Sequence, residues 1–320
     1  MPFGTRHLPG TPAIPYVGSS LRSGLLTVPD ATPALPSTDA TAELPLTVID
    51  GRAFWSWGDV QEIWRFRELF WQLTLRDIRL RYKQTVLGVG WSLFQPVSTI
   101  LMFMFIASIG NTAEGMDRWQ YFLFVVTGVL PWTFFNSAVV NAGNSFVNNE
   151  QLVSKVYFPR LALPLSNVFA AIFDLCVCLF LLAIIMAALG SVPPWRIVFL
   201  PLIIFLLVLL ASSFGILLSA LIAEQRDFRY LLQFGMPLWM FATISIYKRA
   251  DSIPVWANNW IVLNPIHGLI VNFRACLLGP EAGGEPDLFA LGVSIAITIA
   301  ITAFGLVYFR RVDRTLADRI

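Results

Sequence analysis

The sequence predicts an all-α membrane protein of six transmembrane helices, and three observations carry that reading. Hydrophobic residues make up 56% of the 320 and charged residues 13%, about half the charge content of an ordinary soluble domain. The charges gather in short basic clusters, and between these clusters residues 84 to 309 form long stretches that hold almost none. Each stretch has room for the roughly 20 apolar residues that cross a bilayer as a helix. None shows the two-residue alternation of a barrel strand, so helices are the way this backbone satisfies itself in lipid.

In chain order the uncharged windows are Gln84–Ala113, Trp119–Asn149, Leu161–Trp195 with Asp174 as its interruption, Ile197–Ala223, Tyr230–Tyr247 and Leu288–Phe309. These are the six spans. A further window, Ser252–Phe273, is long enough to cross but carries Pro254, Pro265, Asn258, Asn259, Asn264, His267 and Asn272. A lipid-facing helix would not carry that load of breakers and amides, and a re-entrant or interfacial pair of short helices before the last span fits it better.

Six crossings put fourteen Lys and Arg side chains on one face of the membrane (Arg65, Arg67, Arg76, Arg79, Arg81, Lys83, Lys155, Arg160, Arg226, Arg229, Arg310, Arg311, Arg314, Arg319). Five fall on the other: Arg118, Arg196, Lys248, Arg249 and Arg274. The positive-inside rule then makes both termini cytoplasmic, and a seventh crossing would export the four C-terminal arginines against it. The net charge of +2 is too small to imply a nucleic-acid partner.

Residues 1–45 hold eight of the twenty prolines and no apolar run of signal-peptide length, the composition of a disordered cytoplasmic tail. Residues 46–87 form a cytoplasmic segment in which Ile63, Phe66, Leu69, Phe70 and Leu73 recur at helical spacing opposite Arg65, Glu68, Gln72 and Arg76. That pattern predicts an amphipathic helix over 62–75 lying in the interface, with Trp64 and Trp71 as anchors. Residues 88–309 are the membrane domain and 310–320 a basic cytoplasmic tail.

Several chemistries are missing. There is no Gly-x-x-x-x-Gly-Lys-Ser/Thr loop to cradle nucleotide phosphates and no nucleophile elbow. His7 and His267 have no Cys or carboxylate near them at metal-ligand spacing. The reading therefore assigns this chain no catalytic residue, no metal and no cofactor of its own. Cys176 and Cys178 lie two apart in one apolar helix and point in different directions, which excludes a disulfide between them.

Polar residues inside the spans say more. An ionised Asp174 mid-window would cost roughly 2.5–3.5 kcal/mol in lipid, so it must face protein, water or a partner. Ser137, Asn141, Asn144, Ser145 and Asn148 fall on one helical face, either helix–helix glue or the wall of a hydrated passage. Ala211, Gly215, Ser219 and Ala223 recur every fourth residue as a small-residue ridge for close helix packing. Aromatic faces stack on sugars, which makes Trp91, Phe94, Phe103, Phe122, Trp132, Phe134 and Phe135, with Asn141 and Asn144, candidates for lining a substrate path.

The stretch RDIRLRYKQTVLGVGWSLFQP at 76–96 and the stretch GVLPWTFFNSAVVNAGNSFVNNEQLVSKVYFPRLALPL at 128–165 resemble ABC type 2 permeases of polysaccharide export. RDFRYLL at 226–232, the Asn264–Pro265 step and the basic C-terminus are similar too, while Ala242–Lys248 lacks the proline such permeases carry after the fifth span. The resemblance implies a homodimer in the cytoplasmic (inner) membrane that pairs with two copies of an ABC ATP-binding subunit, which holds the ATP and Mg. Its implied cargo is a lipid-linked polysaccharide of the O-antigen, capsule or teichoic acid kind.

It further implies ATPase docking by Asn149, Glu150, Gln151, Leu152, Val153, Ser154, Lys155 and Tyr157, with Arg65 and Arg67 of the interface helix, and an outer gate built around Trp256, Trp260, Asn264 and His267. Competing readings are an exporter of a drug or small lipid, a membrane enzyme acting on lipid-linked sugars, which would want paired carboxylates or a His cluster, and an ion channel, which would want a repeated filter segment.

Overall fold

The computed structural model describes residues 65–83, 90–110, 117–155, 158–246 and 260–319. Every described residue belongs to the unit Gly51–Ile320. The proposed tail at 1–45 and the first part of the 46–87 segment lie outside the described residues. Among the described residues there are ten α-helices and no strand: α1 Arg67–Lys83, α2 Gly90–Gly110, α3 Arg118–Gly143, α4 Ser145–Asn148, α5 Glu150–Lys155, α6 Ala162–Ala188, α7 Leu200–Glu224, α8 Phe228–Ala242, α9 Pro265–Leu277 and α10 Leu288–Arg319.

Each of the six uncharged windows holds a helix. Four are long and apolar enough to cross a membrane, Arg118–Gly143, Ala162–Ala188, Trp195–Glu224 and Leu288–Arg314, and they make this a multi-pass membrane protein. The apolar stretch of α2 runs Leu93–Ile109, and the 15 residues of α8 rise about 22 Å, short of the ~30 Å hydrocarbon core. The six windows thus hold helices of unequal reach.

The bundle is built around α3. Of its most apolar window 78% is buried, against 22% for α10, so α3 is the axis and α10 an outer stave. The small-residue ridge explains how a second helix reaches that axis: a Cβ on Gly215 would come within 2.7 Å of the Ala142 Cβ, while Ala211 and Ser219 are fully buried. Close approach of this kind supplies the dispersion contacts that hold helices together in lipid. On the other side of α7, the Ser213 and Thr302 hydroxyls meet at 2.5 Å, and Ser294 and Thr298, two turns and one turn earlier on α10, are also buried.

Three elements differ from the sequence reading. The second window does not hold one helix to Asn149: α3 stops at Gly143, and Asn144 (φ −85°, ψ 1°) and Asn149 (φ −124°, ψ 29°) flank the single turn of α4. Asn side chains compete for backbone groups and favour such ends over helix interiors. The pre-span helix runs on to Lys83, because no Gly or Pro intervenes before Gly88. Its apolar stripe is turned onto protein, with Leu73 buried among Phe146, Phe158, Leu163 and Phe309 and with Leu69 and Phe70 packed against the same cluster. Residues 310–319, expected as a tail, continue α10, and buried Val312 anchors that extension in the same cluster.

Candidate functional site

Three places hold the residues singled out from the sequence. The first is one end of the bundle, where charges from four distant segments meet. Arg76 on α1 donates from Nη2 to Asn149 Oδ1 at 2.8 Å and from Nε and Nη2 to Asp77 Oδ1. Asn149 Nδ2 in turn donates to the Ser145 carbonyl at 2.9 Å. Arg160 Nη1 donates to both the carbonyl and Oδ1 of Asp313, the Tyr308 hydroxyl donates to Glu224 at 2.5 Å, and Arg226 Nη2 stands 3.8 Å from Glu150 Oε1. The pre-span helix, the α4–α5 turn, the end of α7 and the end of α10 are therefore at the same end.

A cleft of about 710 Å³ opens there, lined by Arg76 and residues 147–152. Asn149, Glu150, Gln151 and Leu152 lie on it, whereas half-buried Val153 and Leu152 lean on the cluster around Leu73. Ser154 and Lys155 close α5, Arg65 and Arg67 are exposed at the start of the pre-span helix, and Tyr157 lies outside the described residues.

The second place is the opposite end, around α9. Asn264 caps this helix by accepting from the Ile266 N–H, with Pro265 at its first position, where a missing N–H costs nothing. The same Oδ1 accepts from Trp239 Nε1 at 3.1 Å, and Nδ2 donates to Thr243 Oγ1 at 2.8 Å, so Asn264 sits beside the end of α8. His267 is buried, Trp260 is exposed, and Trp256 lies outside the described residues. A Cβ on Gly268 would sit 2.2 Å from the Ala290 carbonyl oxygen, which shows how tightly α9 lies against α10.

Arg274, counted above among the loop cations, is instead buried at 3% exposure on α9. Its Nη2 donates to the carbonyls of Ser245 (2.8 Å), Phe124 (3.2 Å) and Ile246 (3.3 Å), and the guanidinium carbon lies 3.5 Å from the centre of the Phe124 ring. Gly128 makes the room: a Cβ there would meet Arg274 Nη2 and Ile246 O, both at 2.7 Å. With Arg274 removed from the loops the basic count becomes fourteen against four. The cap Asn264–Pro265 followed by Ile266, Leu269, Ile270 and Phe273 was a legible helix signal that would have placed Arg274 inside.

The third place is a chamber of about 530 Å³ between α1, α2, α3 and α6. Asp174, isolated in the sequence, pairs here with Arg81 (Nη1 to Oδ2, 2.6 Å) and accepts from the Tyr82 hydroxyl. Asn141 Nδ2 donates to the carbonyl and hydroxyl of Ser137. Of the aromatic path candidates, Phe94 and Phe134 line this chamber and Phe122 lines an adjoining one. Phe103, Trp132 and Phe135 are core, with Trp132 and Phe135 packed edge-on to Trp239, and Trp91 is in α2 with its side chain outside what the structure describes. The polar face divides: Ser137 and Asn141 line the chamber, Asn144 and Ser145 are buried, and Asn148 is exposed.

A helical bundle that pairs a central buried helix with a charged, cleft-bearing end suits a transport subunit. The family model of the ABC-2 type transporter matches residues 68–278, most of the chain, and the chain belongs to that family. It is similar to the O-antigen export system permease protein RfbA of Myxococcus xanthus, 25% identical over 248 residues, covering 76% of this chain and 94% of that protein. Two proteins of the same name from Klebsiella pneumoniae are 26% and 27% identical over 247 and 251 residues, each covering 77% of this chain and 92% of the relative.

Proposed function

We propose that this chain is the membrane subunit of an ABC exporter that carries a lipid-linked, O-antigen-like polysaccharide out across the cytoplasmic membrane. The observation that carries this reading is its likeness, over nearly the whole length of each relative, to three permeases named for O-antigen export. The subunit crosses six times, pairs with a second copy and leaves both termini in the cytosol. Meeting of the Arg76, Arg160 and Arg226 contacts at one end of the bundle supports that topology, since it groups the basic segments as the positive-inside rule requires.

ATP and Mg are held by two copies of a partner ATPase. Its closure pushes on the cleft at 147–152 and on the pre-span helix, shifting the bundle between closed and conducting states. The contact of Asn264 with Trp239 at the end of α8, followed by the short buried α9, supports a re-entrant outer gate. Deleting the gene should strip the polysaccharide from the cell surface and leave it accumulating in the cytoplasm, and affinity capture of the chain should bring down an ATP-hydrolysing subunit. Intact surface polysaccharide, or ATP hydrolysis by the chain alone, would overturn the assignment.

A further inference from the structure

Both oxygens of Asp174 are held by one helix. Arg81 Nη1 donates to Oδ2 at 2.6 Å and the Tyr82 hydroxyl donates to Oδ1, so consecutive residues of α1 fix the orientation of the carboxylate. The Tyr82 ring also lies edge-on to Phe173, with centroids 5.5 Å apart. Hydrogen bonds to an ionised group are roughly twice as strong as neutral ones, and together with the ring contact they hold one turn of α6 against the last turn of α1.

The same helix is fastened at a second point. Arg76 Nη2 donates to Asn149 Oδ1 at 2.8 Å, and Asn149 lies on the cleft at the charged end. Arg76 and Arg81 stand about 7.5 Å apart along the axis, in a helix of 17 residues that holds no Gly or Pro. Such a helix moves as a rod. The direct route from the cleft into the bundle is softer, because α3 stops at Gly143 and the single turn of α4 stands between Asn144 and Asn149.

The far end of the rod reaches a wall of the chamber. Asp174 and Cys178 of α6 line it together with Thr133, Ser137 and Asn141 of α3, so a displacement of α6 relative to α3 changes its width. The Arg81 and Asp174 side chains are 25% and 19% exposed. At that burial the pair is shielded from salt far better than the Arg226–Glu150 approach, which is 79% and 61% exposed.

We propose that Arg81 and Asp174 are positioning residues for transport, their bond being the joint through which a displacement of the pre-span helix at the cleft moves α6 against α3. This rests on the reading above that a partner ATPase powers the subunit. The competing duty of the pair is charge compensation alone, and substitutions tell the two apart.

The complex with its ATP-binding partner is tested in inverted membrane vesicles, where transport is read as the cell's own lipid-linked polysaccharide becoming protected from added glycosidase. Arg81→Leu or Asp174→Leu should cut transport about tenfold, the worth of one charge-assisted hydrogen bond, while ATP hydrolysis continues; Arg81→Lys should recover most of it. The double variant Arg81→Leu/Asp174→Leu leaves neither charge unpaired, so it carries the test even where the single variants fail to assemble. A joint keeps it uncoupled, and transport at the level of the unaltered complex would overturn the proposal. Arg81→Cys with Asp174→Cys, in a chain carrying Cys176→Ala, Cys178→Ala and Cys276→Ala, should be uncoupled as well. A bis-methanethiosulfonate bridge of arginine length should restore its transport, and no recovery in a chain shown by mass spectrometry to be bridged would equally count against the joint.

Spin labels on Ser137→Cys and on Cys178, with Cys176→Ala and Cys276→Ala, supply a readout that does not depend on cargo. Their separation should change on nucleotide binding with the joint intact and stay fixed in the double leucine variant. The two readings therefore fail separately. Vesicles that protect no polysaccharide, while the labels respond only through an intact joint, sink the export reading alone; normal transport by the double leucine variant sinks the joint alone.

Discussion

At one end of the bundle Arg160 meets Asp313 and Arg226 approaches Glu150 across partly exposed surface, while at the other Arg274 is buried against three carbonyls and an aromatic ring. The first arrangement is wet and screened, so each pair contributes little and can rearrange. The second is dry, and there a guanidinium must keep its hydrogen bonds or the structure around it must change. The charged end is built to make and break contacts, and the α9 end is built to hold a fixed geometry.

Substitutions should separate the two ends by size of effect on stability. Gly268→Ala should be the most damaging, since its Cβ would collide with backbone at 2.2 Å rather than with a yielding side chain; we expect a loss of roughly 3 kcal/mol, read by thermal unfolding in detergent. Arg274→Lys replaces a five-donor fork with a point charge and should cost roughly 2 kcal/mol. An unchanged midpoint would mean that the carbonyl cage contributes nothing.

Arg160→Ala should cost about 1 kcal/mol or less, and added salt should shrink the difference from the unaltered protein. Glu150→Lys, at an exposed position 3.8 Å from Arg226, should leave thermal stability unmoved. Its effect should show instead as ATP hydrolysis by the complex that continues while export falls, and full export by this variant would remove the docking role assigned to the cleft.

Much of this was legible in the residues. The six uncharged windows each hold a helix, because twenty apolar residues have few other ways to satisfy their backbone in lipid. The ridge at Ala211, Gly215 and Ser219 packs on α3 as its spacing implied. Contacts between distant segments were not legible. Nothing local tells that Asp174 finds Arg81 or that Arg274 reaches the carbonyl of Phe124, 150 residues away. The aromatic candidates show the same limit: Phe94 and Phe135 carry the same side chain, yet one is exposed on the chamber and the other is fully buried, a difference set by which neighbour each helix face meets.

The bond between Arg81 and Asp174 joins segments 93 residues apart, and it has a consequence for biogenesis. Ribosomes make α1 long before α6, so when the carboxylate of Asp174 leaves the translocon its guanidinium partner is already waiting at the membrane. The insertion penalty of a lone acid is then met on arrival rather than after assembly. A nascent chain shortened to begin after Lys83 would deliver α6 with no such reception, and its third hydrophobic segment should enter the bilayer less efficiently than that of the whole polypeptide.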